Sequence, residues 1–451
     1  MNTKTKKLRI LAWSLILSIG GFLFGFDTAV ISGVEKTIQS LFQLSPLWHG
    51  FTISSALIGT ILGALIAGKP ADLYGRKPVL FVIAILFVLS AIGSSLSGSI
   101  QSFIIYRFLG GIAIGASSVV APMYISEISP AAIRGRMTAL FQFNVILGIL
   151  IAYISNYLLR DVGDNAWRWM LGVGGFPAVI WFFLLFLVPE SPRFLVKVNK
   201  LDSAKIILSR LDPSNVEIAM KTIVDSMKST KEGLFSGKFS RPIAIAFSVA
   251  MFNQLSGINA ILYYAPRIFE LTGLSAGESM LQPVFIGGIN GVFTMLGLLI
   301  IDKVGRKRLL IIGSIGMSIC LILVARSFYL RNFQGYELLI LLAGYIMFFA
   351  FSTGAVIWVL ISEVFPNSVR GKGQSLGSFT HWFFAALITF LFPAIAGQGE
   401  TGTGHAFLLF GISMIAQAIV VWKYFPETKG KTLELLGEEL SPQQYPATAE
   451  S

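Results

Sequence analysis

The sequence predicts an all-α membrane protein of twelve spanning helices in two six-helix halves. Three observations predict it. The chain of 451 residues is 54% hydrophobic and 13% charged, where a soluble globular chain carries about 25% charge. Its mean hydropathy is +0.74, and its apolar residues gather into runs of about 20, the length needed to cross a bilayer as helix. Third, charged motifs recur at a nearly constant offset. Asp72-Leu73-Tyr74-Gly75-Arg76-Lys77 returns 230 positions later as Asp302-Lys303-Val304-Gly305-Arg306-Lys307. Ser126-Glu127, Pro130 and Arg134-Gly135-Arg136 return as Ser362-Glu363, Pro366 and Arg370-Gly371-Lys372, offset by 236. Pro189-Glu190-Ser191 returns as Pro426-Glu427-Thr428, offset by 237. Three pairs in one register indicate an internal duplication.

The apolar runs lie near 9–32, 49–69, 78–97, 101–123, 137–158 and 167–188, then 242–270, 278–301, 308–329, 336–362, 373–397 and 404–425. This divides the chain into a first bundle over 1–188, a linker over 189–241, a second bundle over 242–425 and a tail over 426–451. With the N-terminus inside, 28 of the 35 basic residues fall in the inner connections. Lys36, Arg160, Arg168, Arg267, Arg326 and Arg331 fall outside, and Arg107 falls within a span. The positive-inside rule then puts both termini and the linker in the cytoplasm of a multi-pass plasma (inner) membrane protein. Within the linker, Leu201 to Arg210 carry apolar residues at helical spacing, which predicts short amphipathic helices lying under the membrane. The tail from Gly437 is polar and expected to be disordered. Gly59/Gly63, Gly111/Gly115 and Gly287/Gly291 are small-x-x-x-small pairs, which let helices approach closely in lipid.

Several classes are excluded. A net charge of +12 fits the membrane-orienting connections and not a nucleic-acid face. One cysteine, Cys320, allows no internal disulfide, and His49, His381 and His405 have no metal-ligand spacing. The first run is too long for a signal-peptide core. No cofactor, metal or nucleophile–base constellation is expected, so the chain does not read as an enzyme.

The chemistry is expected at ionisable and amide residues inside the spans, where polar groups are expensive. At about 1.5 Å per residue, Asp27 sits roughly 27 Å along the first span from Arg9, and Arg107 roughly 9 Å into the inward-running fourth. Those depths agree and predict a buried pair. A guanidinium beside a carboxylate favours the charged form and burial alone disfavours it, so making and breaking the pair would take up and release a proton; a fixed structural ion pair is the alternative. The seventh run carries Asn253-Gln254, Ser256-Gly257, Asn259, Tyr263-Tyr264 and Pro266. Amides donate and accept together and suit a neutral, hydroxyl-rich ligand, and helices broken by Gly or Pro at mid-membrane are typical of transporter sites. Gln142, Asn290, Gly354, Trp358, His381 and Trp382 add to that set; tryptophan offers a sugar ring a flat apolar face. Asp72 with Arg76, Glu127 with Arg134, Asp302 with Arg306 and Glu363 with Arg370 are expected to pair at the inner helix ends as a closing latch.

At these residues the chain resembles the sugar porter branch of the major facilitator superfamily, over essentially all twelve runs. The matching motifs are Gly-Arg-Lys at 75–77 and 305–307, Pro-Glu-Ser-Pro-Arg at 189–193, Gln254 with Gly257-Ile258-Asn259, Arg134-Gly135-Arg136 and Pro-Glu-Thr-Lys-Gly at 426–430. The first run, Gly25-Phe26-Asp27-Thr28-Ala29-Val30-Ile31-Ser32-Gly33, is similar to that of bacterial xylose–proton symporters within the branch. The resemblance implies the major facilitator fold, proton coupling through Asp27 and Arg107, and sugar contacts at Phe24, Gln142, Gln254, Asn259, Asn290, Gly354, Trp358 and Trp382. Three departures stand out: Asn253 where the family often has Gln, Ala355 where the tenth run usually has Pro, and His381 where Gln or Asn usually precedes Trp382. The function expected is symport of a proton with a monosaccharide, pentose or hexose, by alternating access about a site between the halves. Its partners are the sugar, the proton and the lipid bilayer, with no nucleic acid, and a monomer is expected. A passive sugar facilitator and a transporter-like sugar sensor are the alternatives.

Overall fold

A computed structural model describes the chain apart from residues 1–2, 131–132, 212–214, 228–232, 332, 334–335, 367, 432–435, 437–438 and 441–451. Most of the tail from Gly437 thus lies outside the described residues. Twelve segments are long and apolar enough to cross a membrane, and no strand occurs among the described residues. The first span is α1 (Thr3–Val30), prolonged by a 3-10 turn at Ile31–Gly33. A short helix, α2 (Glu35–Leu41), leads to α3 (Pro46–Ile66), and α4 (Gly68–Tyr74) leads to α5 (Arg76–Leu96). α6 (Ile100–Glu127) and α7 (Arg134–Leu159) follow. Ser99 caps α6 by accepting the Ser102 N–H, which satisfies one of the donors a helix start leaves open. Pro122 does not end α6, which runs on to Glu127 and exceeds the expected 101–123. The sixth span is α8 (Ala166–Gly172) and α9 (Gly175–Leu184).

Three short helices occupy the polar interval: α10 (Pro192–Lys197), α11 (Leu201–Leu211) and α12 (Val216–Met227). Ser191 caps α10 and Pro192 opens it, the position where a missing N–H is harmless. The seventh span is split into α13 (Ser240–Leu255) and α14 (Ile258–Glu270). α15 (Ala276–Val304) starts on a capping box, Ser275 with Glu278. α16 (Arg306–Leu330) follows, and the tenth span is split into α17 (Glu337–Phe351) and α18 (Thr353–Glu363). α19 (Arg370–Ala396) and α20 (Glu400–Tyr424) complete the bundle.

The chain forms two compact units. Unit 1 comprises Met1–Val34 and Ser55–Thr230; unit 2 comprises Glu35–Ser54 and Lys231–Ser451. The segment Glu35–Ser54, early in the chain, therefore packs with the second half. In unit 2 the core joins α13, α16, α18 and α20 through Val249, Leu310, Val356, Leu360, Phe365 and Val421, all buried.

In unit 1, α3 and α6 touch backbone to backbone. A Cβ added at Gly59 or Gly63 would lie 2.2 Å from the carbonyl oxygen of Phe108 or Ile112. One at Gly111 or Gly115 would lie 1.9 or 2.1 Å from that of Ala56 or Thr60. Two expected glycine pairs therefore pack each into the other's helix. With no hydrophobic drive between helices in lipid, such contact is a principal source of attraction. Gly111→Leu should force these helices apart and destabilise the protein by about 1–3 kcal/mol or more. Gly288→Ala, which meets nothing within 4 Å, serves as the control. Thermal unfolding in detergent reads the difference, and equal midpoints would refute the packing argument.

Candidate functional site

Unit 1 contains the expected buried pair. Arg107 of α6 donates from Nη1 to Asp27 Oδ1 of α1 at 2.6 Å and from Nη2 to the Asp27 carbonyl at 3.3 Å. The Arg107 side chain is 2% exposed and that of Asp27 14%. Neither Asp27 Oδ2 nor Arg107 Nε finds a partner among the described residues. Removing one member of such a buried pair typically costs about 3–5 kcal/mol, because the other is left as a bare charge. Phe24 stands one turn earlier on α1, half-buried. Gln142 of α7 is also half-buried, and no hydrogen bond of its side chain occurs among the described residues.

Unit 2 gathers the amides. Gly257 (φ +83) separates α13 from α14 and brings Gln254 and Asn259 together across the break. Asn259 Nδ2 donates to Gln254 Oε1 at 2.7 Å, and Gln254 Nε2 donates to Asn253 Oδ1 at 2.9 Å. The same Gln254 nitrogen lies 3.3 and 3.2 Å from Nδ1 and Nε2 of His381, so a neutral imidazole can accept from it. The His381 ring lies 5.0 Å from that of Trp358 and 4.7 Å from that of Trp382. Trp358 is 38% exposed and Trp382 is buried. The unexpected histidine thus stands between the two expected tryptophans and on the amide chain. Asn253 also donates to the Thr353 carbonyl at 3.4 Å, next to Gly354 where α18 begins.

Two expected residues stand apart from this group. Asn290 of α15 accepts from Thr294 Oγ1 at 3.3 Å. Tyr264 donates to the Thr389 carbonyl at 3.1 Å and stacks on Phe392, so its hydroxyl is committed to backbone.

The charged helix ends form one circuit twice. In unit 1, Arg76 forks onto Glu127 with two bonds of 2.9 Å, donates to the Ala71 carbonyl and pairs with Asp72 at 3.2 Å. Ser191 donates to the same Glu127 at 2.5 Å, and Glu190 accepts the backbone N–H groups of Arg76 and Lys77 at 3.1 Å. In unit 2, Arg306 donates to Glu363 at 2.8 Å and pairs with Asp302 at 2.9 Å. Thr428 donates to Glu363 at 2.7 Å, and Glu427 accepts the N–H groups of Arg306 and Lys307 at 2.9 and 3.2 Å.

The expected pairings of Asp72 with Arg76 and Asp302 with Arg306 are present, but the other two are corrected. Glu127 pairs with Arg76 and not Arg134; Glu363 pairs with Arg306 and not Arg370. The reason is the turn before each arginine. Gly75 (φ +103) and Gly305 (φ +99) make Arg76 and Arg306 the first residues of their helices, in reach of the neighbouring carboxylate. Arg134 is exposed at the start of α7, and Arg370 Nε donates to the Phe365 carbonyl at 3.3 Å. Glu190, Ser191, Glu427 and Thr428 belong to the repeated Pro-Glu-Ser and Pro-Glu-Thr motifs, whose partners the sequence does not reveal. Their signal is the shared register, and linear spacing does not connect it to partners 64 to 121 positions away.

Burial pushes the Glu190 carboxyl above its usual range, although the N–H groups of Ser191, Lys77 and Arg76 draw it back down. A carboxyl raised in the folded state stabilises most when protonated, and that contribution fades as pH rises past its ordinary value near 4.5. Glu190→Gln should therefore gain stability relative to the natural protein as pH climbs from 4 to 8, read as the difference in unfolding midpoint. A difference constant across that range would refute the burial argument.

The family model described as Sugar (and other) transporter matches residues 13–440. The arabinose-proton symporter of Bacillus subtilis (strain 168) is 37% identical over 432 residues, covering 93% of each chain. The D-xylose-proton symporter of Escherichia coli (strain K12) is 34% identical, covering 98% of each. A partially occluded inward open conformation of the xylose transporter XylE from E. coli is similar in structure, with TM-score 0.85, 34% identity and coverage of 94% of this chain and 99% of that one. The chain has the major facilitator fold and belongs to the sugar (and other) transporter family, as a membrane transporter and not an enzyme.

Proposed function

We propose that the chain is a proton-coupled symporter of a monosaccharide, pentose or hexose, working by alternating access in the plasma membrane with both termini cytoplasmic. The observation that carries the proton half of this reading is the Asp27–Arg107 pair. It is an acid and a base isolated in the apolar interior of unit 1, and an ionisable residue at such depth is functional by default. We assign proton coupling to the making and breaking of this contact between α1 and α6.

The sugar half rests on unit 2. Asn253, Gln254, Asn259 and His381 already satisfy one another, so they can exchange these bonds for sugar hydroxyls with little net loss. Trp358 and Trp382 flank them with apolar faces. Asn290 and Gly354, and Phe24 and Gln142 of unit 1, are assigned to the sugar through the family resemblance, and Tyr264 is given a packing role. The relatives named as arabinose– and xylose–proton symporters support this substrate class. Orientation rests on the 28 of 35 basic residues in the inner connections. The Arg76–Glu127 and Arg306–Glu363 circuits, with Asp72 and Asp302, then lie on the cytoplasmic side as the gate. Arg134 and Arg370 belong to the same faces at the starts of α7 and α19.

A passive facilitator is the second reading, and Asp27 argues against it. A proton moving down about 100 mV and one pH unit supplies roughly 3.7 kcal/mol, enough for several-hundredfold accumulation. Uptake of a panel of labelled monosaccharides into proteoliposomes, with and without a pH gradient, tests the reading. Gradient-independent uptake would select the facilitator. Asp27→Asn should keep sugar binding and exchange yet accumulate nothing against a gradient, and full proton-driven uptake by this variant would overturn the assignment. Gln254→Ala and Asn259→Ala should each weaken sugar binding roughly ten- to hundredfold by calorimetry, about 1–3 kcal/mol.

A further inference from the structure

Outside the sites described above, a cluster of buried charged groups among the described residues has no role yet. It lies in unit 2, where α2 and the first turn of α3 meet the end of α14. Glu35 is 1% exposed. Its Oε1 pairs with Arg267, 3.0 Å from Nε, and its Oε2 is hydrogen-bonded to His49 Nε2 at 2.7 Å. Arg267 also donates from Nη2 to Gln39 Oε1 at 2.5 Å, and Lys36 pairs with Glu270 on the rim. Three residues of α2 therefore grip the last turn of α14, through one carboxylate, one amide and one ammonium group.

The gripped helix is short and interrupted. α14 has 13 residues. It is cut from α13 at Gly257, and its helical path fails again at Tyr264 (φ −116, ψ 16), just before Pro266. Asn259 lies between those two weak points, so its placement depends on what fastens the far end. The first turn of α3 serves the same purpose on another side. A Cβ at Gly50 would lie 2.0 Å from the Phe390 carbonyl, which presses this turn against α19, the helix of His381 and Trp382. The His49 ring stands 6.0 Å from that of Tyr264, edge on, and the Tyr264 hydroxyl is bonded to Thr389 of α19. Glu35 thus sits where α14, which bears Asn259, and α19, which bears His381 and Trp382, are tied away from the amide cluster.

We propose that Glu35 is a positioning residue for the sugar site: clasped by Arg267 and His49, it fixes the outer end of the broken helix α14 and so the placement of Asn259. The inference rests on the assignment of the sugar to Gln254 and Asn259. Its occupant is already present, because the clasp is closed by the chain's own segment Glu35–Ser54. Glu35 touches no substrate; it acts through the helix.

Two measurements test this. The first is structural and needs no sugar: spin labels at Ser40 on α2 and Ala276 just beyond α14, in a Cys320→Ser background, with the distance distribution read by pulsed electron resonance. The distribution should broaden in Glu35→Gln and in Arg267→Gln, and narrow again in Glu35→Asp. The second is kinetic: proton-driven sugar uptake in proteoliposomes. Glu35→Gln and Arg267→Gln should each raise KM about five- to tenfold with kcat within about twofold, the signature of lost binding and unchanged chemistry of coupling, and Glu35→Asp should return KM toward the natural value. The double substitution should be no worse than either single one, since both break one pair. An unchanged distance distribution overturns the clasp wherever the sugar binds. A broadened distribution with unchanged KM overturns the positioning role. If Gln254→Ala raises KM in the same assay, that failure belongs to the clasp; if it does not, the sugar assignment itself has failed and takes the proposal with it. Arg267, partly exposed at the rim, keeps the test available should Glu35→Gln not fold.

Discussion

A charge taken out of water into this bundle must find its counter-charge in the same place, and the architecture is arranged around that requirement. Arg76, Arg107 and Arg306 are all buried. Each meets a carboxylate on a different helix: Glu127, Asp27 and Glu363. Because a half-pair left in apolar surroundings costs several kcal/mol, every such contact fixes the relative position of two spans more firmly than apolar packing does. Apolar packing in lipid is weakly directional. The ion pairs and the backbone contacts at glycine supply the direction.

The duplicated circuits show how little sequence is needed to build this. Gly-Arg-Lys turns the chain and starts a helix. An acid at the end of the next span receives the arginine, and Pro-Glu-Ser or Pro-Glu-Thr returns to cap the new helix and buttress that acid. All of its members use short, common residues, and each would be a plain solvated loop charge elsewhere. Their burial comes from the spans around them. In contrast, the Asp27–Arg107 pair and the amide cluster occur once each, in different units. The charged circuit is thus duplicated between the halves, while these two clusters are particular to one half each.

The spans, their number and the internal repeat were legible in the sequence, because twenty apolar residues between charged islands have few alternatives to a spanning helix. So was the depth match of Asp27 and Arg107, which follows from helical rise alone. The partners of Glu127 and Glu363 were not legible. Arg134 lies seven residues from Glu127 and Arg76 lies 51 away, and nothing in linear spacing reveals that a glycine at φ +103 aims the distant one. The breaks at Gly257 and Tyr264 were half legible. Gly257 and Pro266 announced weak points, but that they bracket Asn259 in a helix of 13 residues appears only in three dimensions. The association of Glu35–Ser54 with unit 2 was hidden altogether, since hydropathy groups a loop with the spans on either side of it.

The long separations in these circuits also order the protein's birth. Arg76 waits 114 residues for Glu190 to cap its helix, and Arg306 waits 121 for Glu427. Lys36 waits 234 for Glu270. A chain emerging from the ribosome therefore inserts its first spans with their charged ends still unsatisfied and facing water. Each unit locks only when the final residues of its own half arrive. The segment around α2 stays unanchored for longest, through the synthesis of the whole first half. Until then each Gly-Arg-Lys turn lacks the carboxylate that accepts its backbone N–H groups in the finished unit.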